Sequence, residues 1–257
     1  MPMDFPVDTK AAATFFANDD RESIDPHRRA SWDVGDALRE IIDRLVDTRA
    51  SVDDLVEVTA ALEDVAVRLR QFEHGRRYDS YGEAANASVD TASDADAEAS
   101  DDGASDDDAK PPSGHVDFSP LLGRANPLAP PMELYLSDDG PKICADVTFG
   151  HAYEGPPGHV HGGLVAAAFD ELLGATQALS GSPGMTAQLD VSYRAPTPLH
   201  VPLRFEATLD DVVGRKIYTS GRVYNGDVLC AEATGLFISI DFSLIAAMRA
   251  DRHEGSS

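Results

Sequence analysis

The run at 164–179, LVAAAFDELLGATQAL, constrains this chain more than any other feature. It holds no proline and one interior glycine, Gly174, and is long enough for about four helical turns. Its residues are apolar on most faces, and a helix of that kind must be buried. What buries it is set by its neighbours. Before it, 132–136 and 143–149 read as short strands joined by an Asp-Asp-Gly turn at 138–140. After a Gly-Ser-Pro-Gly turn at 181–184 come four more β-rich segments, 186–193, 203–213, 216–224 and 228–240, with tight connections at 212–215 and 225–227. No other element in this stretch is available as a cover, so a sheet of six strands has to wrap around the helix. The expectation is an α+β domain over 115–242, an antiparallel six-stranded sheet curled about one long helix.

Upstream, 31–49 places Trp32, Leu38, Ile41, Ile42, Leu45 and Val46 at helical spacing. A second segment, 51–72, repeats Leu55, Val58, Leu62, Val65, Leu69 and Phe72 at alternating steps of three and four, opened by Ser51 with Asp54 three residues on. Together they predict a helical hairpin over 31–77 that docks on the domain, pairs subunits or binds a partner. A flexible leader at 1–30 precedes it, and a tail at 243–257 closes the chain. The segment 78–114 is expected to be a solvated linker. Its stretch 90–108 interleaves aspartate and glutamate with Ala, Ser and Gly and carries no large apolar side chain, so burial cannot offset the entropy of ordering it.

Charge and cysteine usage narrow the partners. With 45 acidic against 21 basic residues and a net charge of −24, the chain lacks the basic field that nucleic acid or an anionic membrane surface requires. Cys144 and Cys230 sit in apolar strand-like runs with no metal spacing, as expected of core residues in a reduced compartment. The first twenty residues show neither a basic start nor a sustained apolar run, so no signal peptide is expected. No apolar run approaches the roughly 20 residues of a membrane span. A soluble, cytoplasmic protein is the expectation.

Where the long helix begins, the sequence reads His161-Gly162-Gly163; Asp170 follows nine residues after the histidine, and a later strand runs into SYRAPTPL at 192–199. These features resemble the hot-dog-fold acyl-CoA thioesterases of the phenylacetate-pathway (PaaI) and THEM type, over roughly 115–242. The resemblance implies hydrolysis of acyl-CoA to free acid and thiol at a site shared between subunits; no metal or cofactor is expected.

The residues themselves fit that chemistry. Thioester cleavage needs donors for the developing oxyanion and a carboxylate that activates water or attacks directly. A helix N-terminus supplies unpartnered N–H groups at the positive end of its dipole. The Gly162 N–H is the expected oxyanion donor, and Gly163 is expected to allow close packing or substrate approach. Asp170, within AAAFDELLG, is an acid where a solvated face cannot explain it. It is the expected base or nucleophile; burial would raise its pKa and N–H donors would lower it. Glu171 points about 100° away around the helix and is read as secondary, a structural ion pair or a substrate contact.

Thr186 matches the position at which such thioesterases carry Ser or Thr to orient the carboxylate or its water. His161 either bonds to the thioester region or holds the turn. Gly155 stands where some relatives carry an asparagine near the attacking water, with Glu154 or Tyr153 as substitutes. Arg194, Arg215 and Lys216 are candidate contacts for the CoA phosphates.

From His161 to Asp170 the helix rises about 13 Å and turns about 900°, which puts the acid on roughly the face opposite the start. One carbonyl cannot touch both, so the active unit is expected to be at least a dimer, with a tetramer left open. Two other classes compete: a non-catalytic acyl-CoA sensor, and a hot-dog enoyl-thioester hydratase or dehydratase. A metal site at His151, His159, His161 and Glu154 is disfavoured because Val165 and Ala166 stand where a further glutamate ligand would fall. Ser182 lies in a helix-to-strand turn, the reverse of a nucleophile elbow.

Overall fold

The structure is a computed structural model that describes residues 25–72, 117–130, 132–138, 140–182 and 184–240. Residues 1–24 of the expected leader, the linker at 78–114 and the tail at 243–257 lie outside the described residues. Six strands form one antiparallel sheet: β1 (Glu133–Leu136), β2 (Lys142–Val147), β3 (Gly184–Tyr193), β4 (Leu203–Val213), β5 (Lys216–Asn225) and β6 (Val228–Ser239). Their order across the sheet is β1-β2-β4-β5-β6-β3.

Alternation along the strands sends one set of side chains inward. Ile143, Ala145 and Val147 of β2, Leu203, Phe205 and Ala207 of β4, Ile217 and Val223 of β5, and Ala231, Ala233 and Phe237 of β6 are all buried. Against them lies the long helix, α3 (Gly162–Gln177), which buries Val165, Ala168, Phe169, Leu172, Leu173 and Ala175 and runs on into one 3₁₀ turn, Ala178–Ser180. Phe169 meets Phe205 edge to face at 5.2 Å. Each fully buried Phe or Leu of this interface contributes about 2 kcal/mol. A curled sheet closed over a single apolar helix is the hot-dog fold, as the order of elements requires.

Two helices precede the sheet. The first, α1 (Pro26–Val46), begins five residues before the expected start, because Asp25 caps it by accepting from the Arg28 N–H and Pro26 takes the first turn. Side-chain contacts fix it to the segment 117–130. Arg28 pairs with Asp117 at 2.6 Å. Arg39 donates to the carbonyls of Arg124 (2.6 Å) and Asn126 (2.8 Å). The guanidinium groups of Arg28 and Arg124 both lie over the Trp32 ring, at 4.8 and 4.9 Å from its centroid. The second helix, α2 (Val52–Leu69), opens with the expected capping box of Ser51 and Asp54. Within the described chain its seam stays open: Val58, Val65, Leu69 and Phe72 are exposed. No described helix is long and apolar enough to cross a membrane.

β3 lies at one edge of the sheet, so along its ten residues one row of backbone N–H and C=O groups has no strand beside it among the described residues.

Candidate active site

The start of α3 is held from three sides. His161 caps the helix: its Nδ1 accepts from the Gly163 N–H at 3.0 Å, and its carbonyl accepts from the Leu164 and Val165 N–H groups. A ring nitrogen that accepts carries no proton, so the neutral imidazole bears its hydrogen on Nε2. From the preceding loop the His161 N–H reaches the Tyr153 carbonyl at 2.9 Å. That loop folds back so tightly that a Cβ on Gly155 would stand 2.7 Å from the His161 Cα, a contact only glycine permits. From β3, the Tyr193 hydroxyl donates to the Gly162 carbonyl at 2.6 Å. The Gly162 N–H itself has no partner among the described residues, whereas the Gly163 N–H is spent on His161. Of the two glycines, the first is the one with a donor to offer.

Two turns along the helix, Asp170 is half-buried. Its Oδ1 accepts from the Thr186 hydroxyl at 2.9 Å, so the threonine sixteen residues away does reach the carboxylate. Further on, the Gln177 amide donates to the Gly184 carbonyl at 2.9 Å. The three contacts 162–193, 170–186 and 177–184 show that α3 runs antiparallel to the edge strand and is fastened to it at three heights.

Among the described residues no cation pairs with Glu171. Burial, reinforced by the neighbouring Asp170 carboxylate, pushes its pKa up to about 7.

Other expected contacts are otherwise engaged. Arg194 forms an ion pair with Glu232 of β6, and Arg215 donates to the Ser239 carbonyl. Glu154 accepts from the Gly158 N–H and Tyr153 donates to the Leu128 carbonyl. The histidines do not converge: the His159 Nδ1 sits against the Pro157 carbonyl, and His151 packs on the His200 ring at 4.2 Å. Tyr193 was not singled out by sequence reasoning. It lies in SYRAPTPL, but nothing in a single sequence joins it to a glycine 31 residues away.

Within one chain the two halves of the site do not meet. Eight residues separate Gly162 from Asp170, about 12 Å of helical rise, and each half is anchored at a different end of β3.

Comparison with known proteins defines the class to which this fold belongs. Residues 157–231, which contain both halves, match the family model of the thioesterase superfamily. A solved thioesterase superfamily protein is 31% identical with a TM-score of 0.65, over 81% of this chain and 94% of that one. The chain therefore belongs to the thioesterase superfamily. Among curated proteins it is similar to acyl-coenzyme A thioesterase THEM4 of Xenopus laevis, 38% identical over 34% of this chain and 40% of the relative. It is also similar to acyl-coenzyme A thioesterase THEM5 of Homo sapiens, 30% identical over 35% of this chain and 38% of the relative. These matches span about two fifths of the length of the curated relatives.

Proposed function

We propose that the protein hydrolyses acyl-CoA thioesters to the free acid and CoA thiol, at a site assembled from two copies of the chain. The observation that carries this reading is the placement of Asp170–Thr186 and Gly162–Tyr193 at opposite ends of one edge strand. Two copies of an edge strand pair antiparallel about a two-fold axis, and such pairing exchanges their ends. The carboxylate of one copy then comes to the helix start of the other. The helix supports the same contact. Ala167, Asp170, Glu171, Gly174 and Ala178 form a stripe that the sheet leaves partly exposed, and small residues let a second helix approach closely.

The chemistry follows from the two halves. Thr186 occupies Oδ1 of Asp170, leaving Oδ2 to take a proton from water. The water oxygen attacks the thioester carbonyl carbon, and the carbonyl electron pair moves onto oxygen. That charge meets the other copy's Gly162 N–H, the positive end of its helix dipole and its His161 Nε2–H. Collapse breaks the carbon–sulfur bond, and the departing thiolate takes the proton held on Asp170. The named thioesterase relatives supply the substrate class. Free, buried Cys144 and Cys230 fit a reducing cytoplasm as the place of work.

The test is thiol release from an acyl-CoA series of graded chain length by the native protein and by Asp170→Ala. Turnover that vanishes in the variant supports hydrolysis. Binding without turnover, or addition of water to an enoyl thioester in its place, removes this reading.

A further inference from the structure

We infer that Tyr193 is a positioning residue of this site: its hydroxyl holds the Gly162–Gly163 peptide so that the Gly162 N–H and the His161 ring both present their protons to the substrate oxygen. The inference rests on the thioesterase reading for the identity of that oxygen. Its geometry is independent of it.

Three groups lie in one chain of hydrogen bonds. The Tyr193 O–H donates to the Gly162 carbonyl at 2.6 Å, and the N–H of that same peptide unit, belonging to Gly163, donates to the His161 Nδ1 at 3.0 Å. A bond into a peptide carbonyl polarises the unit and strengthens the bond its N–H makes. The tyrosine therefore reinforces the contact that keeps the histidine proton on Nε2. It also fixes the plane of the peptide next to the free Gly162 N–H. The hydroxyl end of the tyrosine lies against the glycine: a Cβ at Gly162 would stand 3.3 Å from the tyrosine oxygen and 3.4 Å from its Cζ. Helix hydrogen bonding alone does not require this arrangement. The clamp comes from β3, the strand that also carries Thr186, so one strand sets both the donor and the acid.

The experiment uses the full chain and Tyr193→Phe, which keeps the ring and removes only the hydroxyl. With a saturated acyl-CoA as probe, kcat is expected to fall about tenfold while KM stays within about twofold. Oligomer size and circular dichroism should match the native protein. Nitrogen-15 NMR of the His161 ring should show the Nε2–H tautomer in the native protein and a mixture of tautomers in the variant.

A native kcat in Tyr193→Phe, a loss confined to KM, or a loss that follows dissociation of the oligomer would overturn the inference. If the variant does not fold, the native spectrum decides alone, and an Nδ1–H imidazole there is the overturning result. Asp170→Asn separates the two readings. Full turnover in that variant removes Asp170 as the base of the proposed mechanism and leaves the imidazole spectra to judge Tyr193, whereas a dead Asp170→Asn beside an unaffected Tyr193→Phe removes Tyr193 alone.

Discussion

The Thr186 hydroxyl donates to Asp170 Oδ1 across 2.9 Å, tying the middle of α3 to the start of the edge strand. A hydrogen bond into a carboxylate is one of the stronger kinds and also fixes which oxygen stays open. Thr186→Val keeps the shape and removes the donor. Its kcat for thioester hydrolysis is expected to fall about 10- to 100-fold, and Thr186→Ser should restore most of it. A Thr186→Val protein with native kcat would mean that Asp170 is oriented by something else.

A shared site makes a quantitative prediction for mixed assemblies. Asp170→Ala removes the acid, and Gly162→Pro removes the N–H at a first helical position where proline is tolerated. Each variant alone should be inactive. When they are co-refolded in equal amounts, half the dimers are mixed and each carries one intact site, so about a quarter of native activity should return. If mixing restores nothing while mixed dimers form, both groups serve a site within one chain.

Glu171 should leave a signature in stability against pH. Its pKa in the fold is raised to about 7 from the ordinary 4.5, chiefly by burial and secondarily by Asp170. A carboxyl with a raised folded pKa costs nothing below the unfolded value. As pH climbs from about 4.5 to about 7, the unfolded chain ionises first and the fold loses stability. The loss is about 2 kcal/mol after allowance for partial solvent screening. Urea midpoints for Glu171→Gln should be flatter than native across that window. Parallel curves for the two proteins would show that the carboxyl ionises in the fold as it does in water.

Arg39 holds α1 on the domain through two backbone carbonyls. Arg39→Ala leaves the carbonyls of Arg124 and Asn126 without this donor and should destabilise the protein by about 2 kcal/mol in urea unfolding. Arg39→Lys supplies a single ammonium where a planar fork spans two acceptors, so it should recover only part of that loss. A variant as stable as native would show that α1 is held by its other contacts alone.

Much of this was legible in the sequence because it is decided locally. Strand periodicity placed β4 at 203–213 and put β5 and β6 within one residue of their observed ends, since alternation, turns and inward faces are written in adjacent residues. The helix, its His-Gly-Gly opening and its isolated acid could be read the same way. Even the separation of Gly162 from Asp170 follows from helical rise alone. The start of α1 was missed because Asp25 and Pro26 precede the apolar pattern and act through capping, which periodicity does not report.

What only the tertiary structure decided is which distant groups meet. Tyr193 reaches Gly162, Thr186 reaches Asp170, and Arg194 turns to Glu232 across 38 residues of chain. Among the described residues Glu171 has no cation beside it, although its position on the helix was known. A sequence fixes the period and face of each element, but the register of a helix against a strand depends on how the whole core packs. That packing lays α3 antiparallel to β3, and through it the Asp170–Thr186 and Gly162–Tyr193 contacts fall at opposite ends of that strand.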